Sequence, residues 1–201
     1  MPLDHPGITV WLTGLSGAGK STLGKSLYQH YAGLQYRVEL LDGDDIREFL
    51  SRGLGFTKLD RDENIRRIGF VAELLTRNGV LTFVSAISPY REARNAIRSR
   101  IPSFIEVYVD APITICEERD PKGLYCKARA GLISSFTGID DPYEPPLQPD
   151  VTCHTCVESV TESTAKVIAA IDDRFNGATQ TLESPRFDSL PVIGPGIAEP
   201  V

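Results

Sequence analysis

A chain of 201 residues, 41% hydrophobic and 24% charged, has the size and balance of one water-soluble domain with a core of its own. Its formal net charge of −6 argues against general binding of nucleic acid or of anionic membranes, which needs a basic face. With no run of ~18 apolar residues to span a membrane and no basic-then-apolar leader in MPLDH at the start, the expected setting is the cytoplasm.

The elements alternate along the chain. Residues 8–13 (ITVWLT) form a first buried strand, closed by Gly14, and 20–31 form a helix. Residues 37–41 give a second strand. Ile65, Ile68, Val71, Ala72 and Leu75 recur near every 3.6 residues and predict a helix over 61–77. A third strand is expected over 80–86, a helix over 90–100 opened by Ser88-Pro89, a fourth strand over 104–109, and a fifth near Val151. A helix over 159–175 follows. Strands separated by such helices predict an α/β fold, a mainly parallel five-stranded sheet covered on both faces, with ligands beyond the carboxyl ends of the strands. The domain is expected over 1–176. Residues 120–149, rich in Gly, Pro and charge, are too long for a simple connection and read as a mobile lid. Residues 177–201, with prolines at 185, 191, 195 and 200, read as a flexible tail.

Charge and cysteines add two expectations. Between residues 61 and 100 there are eight arginines against four acids, an excess that suits a small anion as well as it suits a solvated helix face. Cys153 and Cys156 have a C-x-x-C spacing, but no second ligand pair is visible for zinc. They read as thiols of a buried strand, with a redox pair as the alternative.

The sharpest signal is GLSGAGKS at 14–21, which fits G-x-x-x-x-G-K-[ST] between a predicted strand and a predicted helix. Gly14, Gly17 and Gly19 permit the tight turn, and backbone N–H groups of Leu15, Ser16, Ala18 and their neighbours up to Thr22 face phosphate at a positive helix end. Lys20 reaches the β- and γ-phosphates, and Ser21 supplies a hydroxyl for Mg²⁺. The third strand ends in FVSAIS, serine standing where GTPases and motor ATPases carry aspartate. Carboxylates follow the second strand instead, in LDGDD at 41–45, where one can hold Mg²⁺ through water or accept a hydroxyl proton.

Together these residues resemble the adenylyl-sulfate kinase (APS kinase) family of P-loop kinases. The resemblance runs through TGLSGAGKST at 13–22, DGD at 42–44, GF at 55–56, DRDENIRR at 60–67, ISPYR at 87–91, DPKGLY at 120–125, KARAG at 127–131 and FTGIDDPYE at 136–144. It implies ATP-dependent phosphorylation of the 3′-hydroxyl of adenosine 5′-phosphosulfate in sulfate assimilation, with Mg²⁺ as cofactor and a homodimeric assembly. By motif, Asp44 is the base or hydroxyl-orienting carboxylate, supported by Asp42, with water-mediated contact to Mg²⁺ open to Asp44. Arg47, Arg61 and Asn64 would grip the phosphosulfate and ribose, Phe56 and Phe136 would sandwich the adenine, and Ile87 and Ser88 would line the pocket. Lys122 and Leu124 belong to the lid, and the family's phosphoserine position falls on Ser88. Asp45 stands where the family usually has Asn; the extra charge would raise the Asp44 pKa or shift Mg²⁺ binding. Another small-molecule kinase, of nucleoside or sugar-acid type, and a regulator without turnover are the competing readings.

Overall fold

The computed structural model describes residues 5–182, with the backbone alone for Asp44 and for 178–182. The strands are β1 (Ile8–Thr13), β2 (Val38–Asp42), β3 (Leu81–Ser85), β4 (Phe104–Asp110) and β5 (Val151–His154). They form one sheet in the order β2-β3-β1-β4-β5, every pair parallel. The helices are α1 (Lys20–Gly33), α2 (Gly43–Phe49), α3 (Lys58–Arg77), α4 (Arg91–Arg100), α5 (Ile113–Arg119), α6 (Leu124–Arg129) and α7 (Val160–Leu182). Among the described residues, no helix is long and apolar enough to cross a membrane.

Period two along β1 explains the layers. All six of its residues are buried, because helices cover both faces. Ile8, Val10 and Leu12 join the core with residues of α1, α5, α6 and α7, while Trp11 faces the opposite core with residues of α3 and α4. Chain leaving β1 therefore crosses one face, and chain leaving β3 crosses the other. These two strands are neighbours, so their following loops part and leave a crevice at the carboxyl ends. The loop 14–19 and the turn 86–90 border it.

Helix α7 and the segment 120–149 both hold more helix than the sequence reading gave them. Helix α7 continues past the expected end at 175 to Leu182, so 177–182 belong to it; the rest of the expected tail, 183–201, lies outside the described residues. The segment 120–149 is not featureless, since α6 lies within it. Tyr125 and Ala128 of α6 are buried, and Asp120 accepts the amide protons of Tyr125 and Cys126 at 3.1 and 3.0 Å, which fixes the first turn of that helix.

The buried-strand reading holds for Cys153 but not for Cys156, which is exposed and lies beyond the end of β5. The four cysteines are free thiols, Cys116 and Cys153 buried, Cys126 and Cys156 exposed. Burial, above all, pushes the Cys153 thiol up to about 11, so thiolate is scarce at neutral pH. Alkylation of the native protein at pH 8 is expected to label Cys126 and Cys156 and spare Cys116 and Cys153 until denaturant is added. Peptide mass spectrometry reads this, and fast native labelling of Cys153 would contradict it.

Candidate active site

The crevice opens into a cavity of about 1000 Å³. One half is the loop between β1 and α1. Gly14 packs so closely on β4 that a Cβ there would lie 2.3 Å from the Val109 carbonyl oxygen, and Gly17, at φ 74°, leaves 2.9 Å to the Cys116 carbonyl oxygen. Only glycine fits either place. Three carbonyls of the loop are held by side chains from distant parts of the chain. Tyr125 donates its hydroxyl to Ser16 O at 3.0 Å, Arg119 Nη1 to Gly17 O at 3.3 Å, and Thr155 Oγ1 to Ala18 O at 2.7 Å. Burial raises the Tyr125 phenol well above its usual range, which keeps it a donor. Fixing the carbonyls fixes the peptide planes, and with them the N–H groups that a phosphate needs. Lys20, 9% exposed, donates to Gly14 O at 3.0 Å and Leu15 O at 2.7 Å. Helix α1 starts with no side-chain cap, so its positive end faces the cavity.

Ser16, Gly17, Gly19, Lys20, Ser21 and Thr22 line the cavity; Gly14, Leu15 and Ala18 do not, and build the loop from behind. Gly14→Ala is expected to weaken ATP binding on the order of a hundredfold, because the loop must leave β4. Calorimetric titration measures this, and an unchanged dissociation constant would contradict the packing argument.

The other half of the cavity is made by α2, α3 and the segment beyond α6. Asp42 ends β2 and lines the cavity, as do Asp45, Arg47, Phe56, Arg61 and Asn64. Asp44 lies in the first turn of α2; its side chain is outside what is described. Both terminal nitrogens of Arg47 donate to Gly55 O at 3.2 Å, and its guanidinium lies 4.2 Å from the Phe56 ring centre. It braces that ring. Arg61, 7% exposed, joins two loops, donating from Nε to Phe56 O at 2.9 Å and from Nη2 to Ser135 O. Asp141 lies 3.5 Å from it and also accepts from Tyr90 at 2.8 Å. By contrast Arg66 and Arg67 each pair with Glu63 at 2.7 Å and do not line the cavity.

Phe136, 8% exposed, lines the cavity and meets Tyr125 edge-on at 5.0 Å. Phe56 remains half-exposed, which suits a ring kept for a ligand. Asn64 Oδ1 and Thr137 Oγ1 are buried without a hydrogen-bond partner among the described residues, and both residues line the cavity. A polar ligand would remove that cost. Ile87, Lys122 and Leu124 reach the cavity as expected. Ser88 does too, but its hydroxyl faces inward: it accepts from Trp11 Nε1 at 3.0 Å and donates to Thr13 Oγ1 at 3.0 Å, and the residue is 2% exposed. As the expected phosphorylation position it would first have to leave that network; its present role is to lock the turn. Arg119, Tyr125, Thr137 and Thr155 were not expected at the site. Tyr125 and Thr137 fall inside the family-like motifs, but nothing local marks the loop or the cavity as their destination.

A glycine loop with a buried lysine, facing carboxylates and a wall of arginine, asparagine and two phenyl rings, defines a P-loop phosphotransferase. Comparison with known proteins narrows this. The family model for adenylylsulphate kinase matches residues 6–154. The chain is similar to the adenylyl-sulfate kinase of Gloeothece citriformis, 60% identical over 170 residues (85% of this chain, 97% of the relative). The enzyme of Microcystis aeruginosa is 62% identical over 165 residues (82% and 91%). Among solved structures, the APS kinase CysC of Mycobacterium tuberculosis in complex with AMPPNP and APS superposes with a TM-score of 0.81 at 44% identity, covering 84% of this chain and 99% of that one. The chain belongs to the adenylyl-sulfate kinase family.

Proposed function

We propose that this protein transfers the γ-phosphoryl group of ATP to the 3′-hydroxyl of adenosine 5′-phosphosulfate, giving 3′-phosphoadenylyl sulfate and ADP. The observation that carries the reading is the meeting, in one cavity, of the phosphate loop with a wall bearing Phe56, Phe136, Arg61 and Asn64. A purine stacks on the rings at ~1–3 kcal/mol per face by analogy with base–aromatic contacts. The anionic phosphosulfate lies toward Arg61 and Arg47, the ribose toward Asn64. That orientation brings the ribose hydroxyl toward β2, where Asp44 takes its proton or aligns it, with Asp42 beside it. Lys20 and the loop amides hold the transferring group's charge.

Mg²⁺ fits the oxygen donors here: the Ser21 hydroxyl at the start of α1 and the Asp42 carboxylate both line the cavity, and Asp44 follows two residues on. Bound with ATP, the ion neutralises phosphate oxygens. Lys122, on the segment 120–149, is proposed to meet the transferring group when both substrates are in place, which would limit loss of ATP to water. An acceptor panel tests the reading. Adenylyl sulfate is expected to be phosphorylated and gluconate, shikimate and plain nucleosides left untouched; phosphorylation of a sugar acid with none of adenylyl sulfate would refute it.

A further inference from the structure

Arg94 lies on α4, outside the cavity lining, yet is 1% exposed. Its guanidinium ties three separate parts of the chain together. Nε donates to Glu106 of β4 at 2.9 Å, Nη1 to the carbonyl of Ser88, and Nη2 to the carbonyl of Glu144 at 2.7 Å. Glu106 already supplies the counter-charge, and it is shared with Arg98 at 3.4 Å. The two carbonyl bonds therefore go beyond charge balance, and a planar fork spanning two backbone oxygens fixes geometry.

Those two carbonyls belong to the segments that shape the acceptor wall. Ser88 has φ 42°, a left-handed value that a non-glycine residue keeps only when its surroundings hold it. Its turn carries Ile87 and Ser88 into the cavity wall. Glu144 lies near the end of the segment 120–149 and is tied to the same turn twice more. Its amide donates to Pro89 O at 2.8 Å, and its carboxylate accepts from the Arg91 amide at 2.9 Å. From the other side the Tyr143 hydroxyl lies 3.1 Å from Thr13 Oγ1, which donates to Ile87 O at 2.8 Å.

We propose that Arg94 is a positioning residue for the acceptor site, holding the Ser88 turn and residues 143–145 in one frame from beneath the cavity. It acts through that turn and touches no substrate; the proposal rests on the functional reading above. Arg94→Lys keeps a charge beside Glu106 but cannot span both carbonyls. In the full chain its KM for adenylyl sulfate is expected to rise roughly tenfold, with KM for ATP within about twofold of wild type. Trp11, the single tryptophan, donates to Ser88 Oγ at 3.0 Å, so its emission is expected to shift in this variant; unchanged emission would count against the proposal.

Glu106→Gln serves as the control. It removes the counter-charge and leaves the carbonyl bonds, so it is expected to lower the melting temperature with acceptor KM within about twofold. Equal rises in the two KM values of Arg94→Lys, a lower melting temperature with both unchanged, or an acceptor effect in Glu106→Gln as large as in Arg94→Lys would each overturn the assignment. If Arg94→Lys does not fold, Arg94→Gln, which reaches one carbonyl, takes its place under the same criteria. Wild-type turnover of adenylyl sulfate, run alongside, tests the functional reading separately: its absence defeats that reading, whereas an effect in the variants alone bears on Arg94.

Discussion

Replacing Asp44 with asparagine is expected to lower kcat by roughly two to four orders of magnitude while the dissociation constant for ATP stays within about threefold of wild type. Strand β2 sets the position of Asp44. That strand pairs with β3 so that Asp42 lies opposite Ser85, and Gly43 then approaches the Ser85 carbonyl so closely that a Cβ would lie 2.9 Å from it. The corner is thereby pinned, and α2 begins at once. Asp44 falls in its first turn, beyond the carboxyl end of the sheet, on the side where Asp42 and Asp45 line the cavity. Asparagine keeps the size and one acceptor oxygen but cannot take the proton of an attacking hydroxyl. On the proposed reading ATP is held chiefly by the loop 14–21, which the change leaves alone. Steady-state kinetics with separate nucleotide titration make the measurement. Turnover within about tenfold of wild type would remove Asp44 from the role of base.

The second large effect is at Arg61. Arg61→Ala is expected to raise the KM for adenylyl sulfate on the order of a hundredfold, with a smaller change for ATP, and to cost about 2–4 kcal/mol of stability. Both consequences follow from burial. Removing the guanidinium leaves the Phe56 and Ser135 carbonyls without their donor and takes a positive charge from beside Asp141. The loop carrying Phe56 and the loop carrying Phe136 then lose the bond that sets their separation. Tyr90 still donates to Asp141, which keeps the loss from being larger. Arg61→Lys restores charge but not the fork, so it is expected to recover part of the stability and little of the acceptor affinity. Acceptor KM and calorimetric melting separate the two effects, and an unchanged acceptor KM in Arg61→Ala would contradict the assignment.

What could be read in the sequence is what is written locally. Strand β1 and the loop after it were legible because six consecutive buried residues end at a glycine pattern with a fixed chemical purpose. Helix α3 was legible by period, but its start at Lys58 was not. Thr57 accepts the Asp60 amide proton at 3.2 Å, a cap that precedes the apolar repeat by more than a turn. Helix α2, seven residues long, is too short to display a period, and α6 hides in a stretch that composition marks as loop.

The site divides in the same way. Motif residues such as Lys20, Asp42, Arg61 and Phe136 were placed in the cavity as expected. The clamps on the phosphate loop were not foreseeable. Arg119, Tyr125 and Thr155 reach it across sequence separations of 102, 109 and 137 residues, which only the sheet order brings together. Arg47 and Ser88 were recognised by type but not by orientation, since each spends its polar atoms on the backbone or the core rather than pointing them at a ligand alone.

The central claim, that the cavity joins ATP to an adenylyl-sulfate acceptor, is tested most directly by ADP release from MgATP with and without adenylyl sulfate, with the nucleotide product identified. Strong stimulation by adenylyl sulfate, with 3′-phosphoadenylyl sulfate formed in equal amount to ADP, is the predicted result. ADP release that ignores adenylyl sulfate would contradict the acceptor assignment while leaving the phosphate loop's role intact.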